Sequence, residues 1–175
     1  MSFGLERPAE LDPVTAAELD QLVVSIRAQI ESEHDDDGRH LPFQDYAPEW
    51  SAGSEAPSLG IGTVRGRWAR RGTEILFRME LVIGDTTTTG VGAWGFTLPV
   101  RPKERGNVFV ATFEDVSADS EPPGSAKNPE RGNNAAGTLI RVRSAAGAAV
   151  TSAVPFTWAS GDVLRIQGTY EGVAE

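Results

Sequence analysis

The stretch Gly62–Pro99, GTVRGRWARRGTEILFRMELVIGDTTTTGVGAWGFTLP, decides the fold class. In its centre Ile75, Phe77, Met79, Leu81 and Ile83 share one parity, while Glu74, Arg78 and Glu80 share the other. Side chains alternate across a strand, so this pattern describes a strand with one buried and one wet face. Before it, Val64, Gly66 and Trp68 alternate with Thr63, Arg65 and Arg67. After it, Trp94, Phe96 and Leu98 alternate with Gly95 and Thr97. Arg70-Arg71-Gly72 is short enough for a hairpin, whereas Gly84 to Gly92 is a longer, Thr-rich connection. The stretch therefore predicts an antiparallel sheet that turns Trp68, Ile75, Phe77, Met79, Leu81, Trp94 and Phe96 towards a core.

Downstream the same grammar repeats. Asn107 to Val116 contains VFVATF, a dense strand. Ser117 to Ala136 holds Pro122-Pro123-Gly124, Asn128-Pro129 and Gly132-Asn133-Asn134, and is expected as a long exposed loop. Ile140 and Val142 alternate with Leu139, Arg141 and Arg143, Gly147 turns the chain into a further strand over 148–154, and Phe156 and Trp158 follow as aromatic anchors. After a Ser160-Gly161-Asp162 turn, Leu164, Ile166 and Tyr170 mark the last strand. These short strands, punctuated by Gly, Pro and Asn, predict a mainly β domain over 59–175, an antiparallel β-sandwich of jelly-roll type. A parallel α/β sheet is disfavoured because no crossover helices appear.

Upstream the chain changes character. Asp12-Pro13, or Thr15 to Glu18 as a capping box, can open a helix. Leu19, Leu22, Val23, Ile26 and Ile30 then fall three or four apart and form an apolar stripe on a helix ending near Ser32. That stripe either packs on the β-domain or associates with copies of itself. The acidic segment that follows favours the second, so residues 1–33 are expected as an oligomerising lead. Residues 34–58 read as a linker that is acidic at first, then Pro-rich, with Phe43, Tyr46 and Trp50 as aromatic anchors; Tyr46 and Trp50 are expected to dock on the β-domain or on a neighbouring chain, the alternative for Trp50 being an exposed place in a sugar-binding groove.

Charge is unevenly placed. The net charge of −9 divides into 3 basic and 13 acidic residues over 1–58, and 13 basic and 12 acidic residues over 59–175. Neither half offers the basic excess that a phosphate backbone needs, so nucleic-acid binding is not expected. Met1 to Leu11 lacks the apolar run of a leader, and no stretch approaches the roughly 20 apolar residues that span a bilayer, so membrane insertion is not expected. The chain has no cysteine, which removes disulfides and thiolate chemistry.

Candidate chemistry is sparse. His34 and His40 flank Asp35-Asp36-Asp37 and invite a metal reading, three-fold related chains each supplying an imidazole. The plainer reading is an exposed acidic turn around Gly38. No serine sits in a nucleophile elbow, and Glu74 and Glu80 share a wet face with Arg78 between them, as cross-strand pairs do. No enzymatic activity and no cofactor are expected. For a ligand, Thr86, Thr87 and Thr88 and the loop residues Asn128, Asn133 and Asn134 supply short polar groups beside aromatic ones. The outward Arg65, Arg67 and Arg78, with Arg141 and Arg143, can meet acids on a partner or pair within the sheet.

Three runs carry a resemblance: Gly66 to Ile75, Leu81 to Thr88 with Gly92 to Pro99, and Val154 to Leu164 with Gly168 to Tyr170. Together they resemble the C-terminal β-domain of minor tail or tail-fibre proteins of actinobacterial phages, over about Leu59 to Glu171. The helix with His34 to His40 resembles the short trimerising lead of small phage fibres. The resemblance implies a homotrimer on the virion, assembled in the host cytoplasm beside other virion proteins. Its β-domain would face the host surface and bind a glycan or cell-wall receptor. The alternative it leaves open is a purely structural virion protein, such as a capsid fibre or a baseplate or tail adaptor.

Overall fold

The computed structural model describes residues 21–25, 42–128 and 138–173. The chain divides into two compact units, Met1–His40 and Leu41–Glu175. In the first, residues 21–25 are helical, with Leu22, Val23 and Val24 exposed. Leu19, Ile26 and Ile30, and His34 and His40, lie outside the described residues.

The second unit is an antiparallel β structure. Its strands are β1 (Gln44–Tyr46), β2 (Trp50–Ser51), β3 (Thr63–Arg71), β4 (Glu74–Val82), β5 (Gly95–Thr97), β6 (Val108–Glu114), β7 (Pro123–Lys127), β8 (Leu139–Ser144) and β9 (Val163–Glu171). They form one continuous hydrogen-bonded sheet in the order β1-β3-β4-β9-β6-β7-β8-β5-β2. The two edge strands are joined by only Ala47, Pro48 and Glu49, a link of about 14 Å at most. The sheet must therefore curl until its edges approach. Within that link Glu49 is fastened to β5: its amide donates to Thr97 Oγ1 at 2.9 Å and its carbonyl accepts from the Thr97 amide at 3.1 Å. Both edge strands lie within the stretch read from sequence as linker.

Local chemistry explains each strand. β3 and β4 pair from Thr63↔Val82 to Arg71↔Glu74, leaving a two-residue turn in which Gly72 takes φ 61°, a left-handed conformation that glycine adopts without a Cβ penalty. Ile75, Phe77, Met79 and Leu81 of β4, Phe109, Ala111 and Phe113 of β6, and Leu164, Ile166 and Tyr170 of β9 fill the concave side. Phe77 meets Phe109 edge-on at 4.9 Å, with Tyr170 5.8 Å from each. At the other side of the core Trp94 contacts Trp158 at 4.8 Å and Trp50 at 4.9 Å. Phe96, Ile140 and Val142 are fully buried beside them.

Three sequence expectations change. Trp68 lies at the margin of the core rather than within it, because β3 neighbours a three-residue edge strand too short to cover it. Part of the expected loop over 117–136 is strand β7, hydrogen-bonded to both β6 and β8. Its small residues hide it from periodicity and are also why it fits: a Cβ on Gly124 would come within 2.4 Å of the Phe113 ring. Conversely, 148–154 forms only isolated bridges, although Val150 is buried and bonds to both Trp94 and Val142 backbones.

Candidate functional site

The Thr-rich connection after β4 is stitched to the segment before β3. The Thr87 hydroxyl donates to the Leu59 carbonyl at 2.6 Å and accepts from the Gly84 amide at 2.9 Å. Thr86 Oγ1 accepts from the Ile61 amide at 2.9 Å. Thr88 pairs through its backbone with Ser58 in both directions, at 2.8 and 2.9 Å, and Glu55 bridges to Val91. Threonine suits this work because a short hydroxyl can close a local backbone bond in a turn.

Two further anchors shape the same end. Asp162 is buried, and its carboxylate accepts from the Ala159 amide at 2.7 Å and the Val116 amide at 3.0 Å. Those charge-assisted bonds hold the turn into β9. The Trp158 indole donates to the Thr151 carbonyl at 3.0 Å and lies almost wholly buried.

Between these anchors lies an open groove of about 640 Å³. Its lining includes the buried Ile83 and Trp158, the hydroxyls of Thr87, Thr88, Thr89, Ser152 and Ser160, and the carboxylates of Glu55 and Asp85. Its hydroxyls and carboxylates can donate to and accept from a polyhydroxylated ligand. The indole is too covered to serve as a stacking platform. Of the threonines proposed from sequence, Thr88 is exposed and its hydroxyl has no partner among the described residues, Thr87 spends its hydroxyl within the fold, and Thr86 is not among the lining residues.

Asn128 does not belong to this site. It is fully buried, its Nδ2 donates to the Leu139 carbonyl at 3.0 Å, and its backbone pairs with Asn107 and Gly106. It is a structural fastener between β7 and β8, out of a ligand's reach. Asn133 and Asn134 lie outside the described residues. Among the described residues no cluster of three metal-ligating side chains occurs. Sequence reading missed Glu55, Ser152 and Ser160 as groove residues. They fall on separate segments with no shared spacing, and only the Ser160-Gly161-Asp162 turn left a signal.

The Mu-like prophage FluMu defective tail fiber protein of Haemophilus influenzae is 27% identical over 128 residues. The match takes in 72% of this chain and 20% of that protein, so the chain spans about a fifth of its length. No family model matches the chain, and no solved structure matches it. No helix among the described residues is long and apolar enough to cross a membrane.

Proposed function

We propose that this chain is a phage virion protein of tail-fibre type, whose β unit binds a glycan or cell-wall receptor on the host surface without catalysing a reaction. The observation that carries the proposal is the similarity to a protein named as a phage tail fibre over nearly three quarters of the chain. The curled antiparallel sheet supports the reading of this unit as the head of such a fibre, a jelly-roll-like sandwich in this proposal. The groove beside Thr88, Glu55, Ser152 and Ser160 is the receptor site in this reading. The exposed Leu22 and Val23 are consistent with a helix that trimerises beyond the single chain. Attachment to other virion proteins and actinobacterial hosts complete the reading.

A second reading, a structural capsid fibre or tail adaptor, draws support from Thr86 and Thr87, whose hydroxyls serve the fold. Pull-down on purified host envelope and a glycan array separate the two. Retention of the intact oligomer supports attachment, and consistent failure to bind sinks it. Light scattering that returns a stable monomer at micromolar concentration removes the trimer. Antibody labelling of assembled particles decides between tail and capsid.

A further inference from the structure

The outward face of β3, β4 and β9 carries an arrangement that fold stability alone does not explain. Arg67 and Arg78 are direct cross-strand partners, and like charges in that position oppose pairing. Both guanidinium groups rest over the Phe43 ring, at 5.7 and 5.5 Å. Arg67 also reaches Asp45 at 3.1 Å and donates to the Phe43 carbonyl at 3.2 Å. Among the described residues Arg78 has only the ring. Arg65 stands opposite Glu80, the natural partner, but Glu80 is held by Arg165 at 3.0 Å, which also takes Glu114 at 2.7 Å. Among the described residues no carboxylate lies within ion-pair distance of Arg65 or Arg78.

Arg65, Arg67, Arg78, Glu80, Arg165 and Gln167 line a shallow depression of about 380 Å³, next to the exposed Val110 of β6. Two exposed guanidinium forks, a side-chain amide and an apolar edge suit a chain that offers spaced carboxylates and flat C–H surfaces. Arginine forks meet carboxylates in bidentate geometry, which a lysine does not match. A nucleic acid fits poorly, because residues 59–175 hold 13 basic against 12 acidic residues, no excess for a continuous phosphate backbone, whereas two forks match spaced carboxylates.

We infer that this face is a binding surface for a carboxylate-bearing polysaccharide of the host envelope, read by Arg65 and Arg78 and steadied by Arg67 on Phe43. The inference rests on the attachment reading above, adds to its Thr88 groove a second and separate contact surface, and names the ligand class that surface takes.

The test compares the full-length protein with R65Q/R78Q, with R65K/R78K, and with R71Q, which alters an exposed arginine at the β3–β4 turn. Far-UV circular dichroism and light scattering check that fold and oligomeric state are unchanged. Polygalacturonate is the probe, dextran the neutral control, and duplex DNA the dense polyanion. The expected result is salt-sensitive binding of polygalacturonate, lost tenfold or more in R65Q/R78Q, partly kept in R65K/R78K and unchanged in R71Q. Equal binding by R65Q/R78Q overturns the inference, as does equal affinity of the wild type for dextran or DNA. A change of oligomeric state in R65Q/R78Q also overturns it, since the face would then be a subunit contact. Binding to intact host envelope is measured in parallel. If R65Q/R78Q still binds envelope like wild type, attachment stands and this face is not the reader. If wild type binds polygalacturonate but not envelope, the attachment reading falls instead.

Discussion

Thr87→Val removes one hydroxyl and little else, and it tests whether the Thr-rich connection is scaffold or ligand contact. Valine keeps the β-branched shape, so packing changes little. The Leu59 carbonyl loses a donor at 2.6 Å but keeps the Gly62 amide at 2.7 Å, while the Gly84 amide is stranded by the loss of its acceptor at 2.9 Å, both sites being partly buried. A typical internal hydrogen bond contributes about 1 kcal/mol net, and a stranded buried partner costs about 1–3 kcal/mol. Some water reaches this half-buried site, so the expected loss is about 2–3 kcal/mol. For a unit of this size that is a fall in melting temperature of roughly 6–12 °C. Thr88→Val is the control: Thr88 makes its recorded bonds through its backbone, so a change within about 0.5 kcal/mol is expected. Thr87→Ser, which restores the hydroxyl, recovers most of the loss. Urea unfolding followed by tryptophan fluorescence reads all three. Indistinguishable midpoints for Thr87→Val and Thr88→Val would refute the reasoning.

Gly66→Ala places a Cβ within 2.2 Å of the Tyr46 ring, so β1 should detach; faster exchange of amides 44–46 with the rest protected is the expected signature. Asp162→Ala strands the Val116 and Ala159 amides and should cost about 2–4 kcal/mol by urea unfolding, with Asp162→Asn costing less. Asp115 is held below its ordinary carboxylate value of 3.8, chiefly by the Ser117 hydroxyl. Its contribution to stability is therefore present above that ordinary value and lost as pH falls through the lower folded one. Ser117→Ala should raise the Asp115 titration midpoint by NMR, and its stability should converge with wild type in strong acid. No rise would count against the Ser117 contact.

How much of this was legible beforehand depends on which signal each element carries. β4 and β9 are written in their alternation, because a strand with one wet face must place apolar residues at every second position. Ile75, Phe77, Met79, Leu81, Leu164 and Ile166 all landed in the core for that reason. β7 carries no such signal, since its contact with Phe113 demands glycine in place of a large side chain. Trp50 was readable as a docking aromatic, but not as the edge strand that stacks on Phe96 and meets Trp94.

The sequence by itself determined an antiparallel β class, the parity of β4 and β9 and the tight β3–β4 turn, since those follow from short-range periodicity and backbone sterics. Only the tertiary structure decided that the sheet curls until β1 and β2 are three residues apart, because that depends on which strands pair across the whole chain. It also decided which polar groups remain for a ligand. The Thr87 hydroxyl and the Asn128 amide are spent on backbone partners distant in sequence, whereas Arg65 loses Glu80 to Arg165, a competitor supplied by the neighbouring strand.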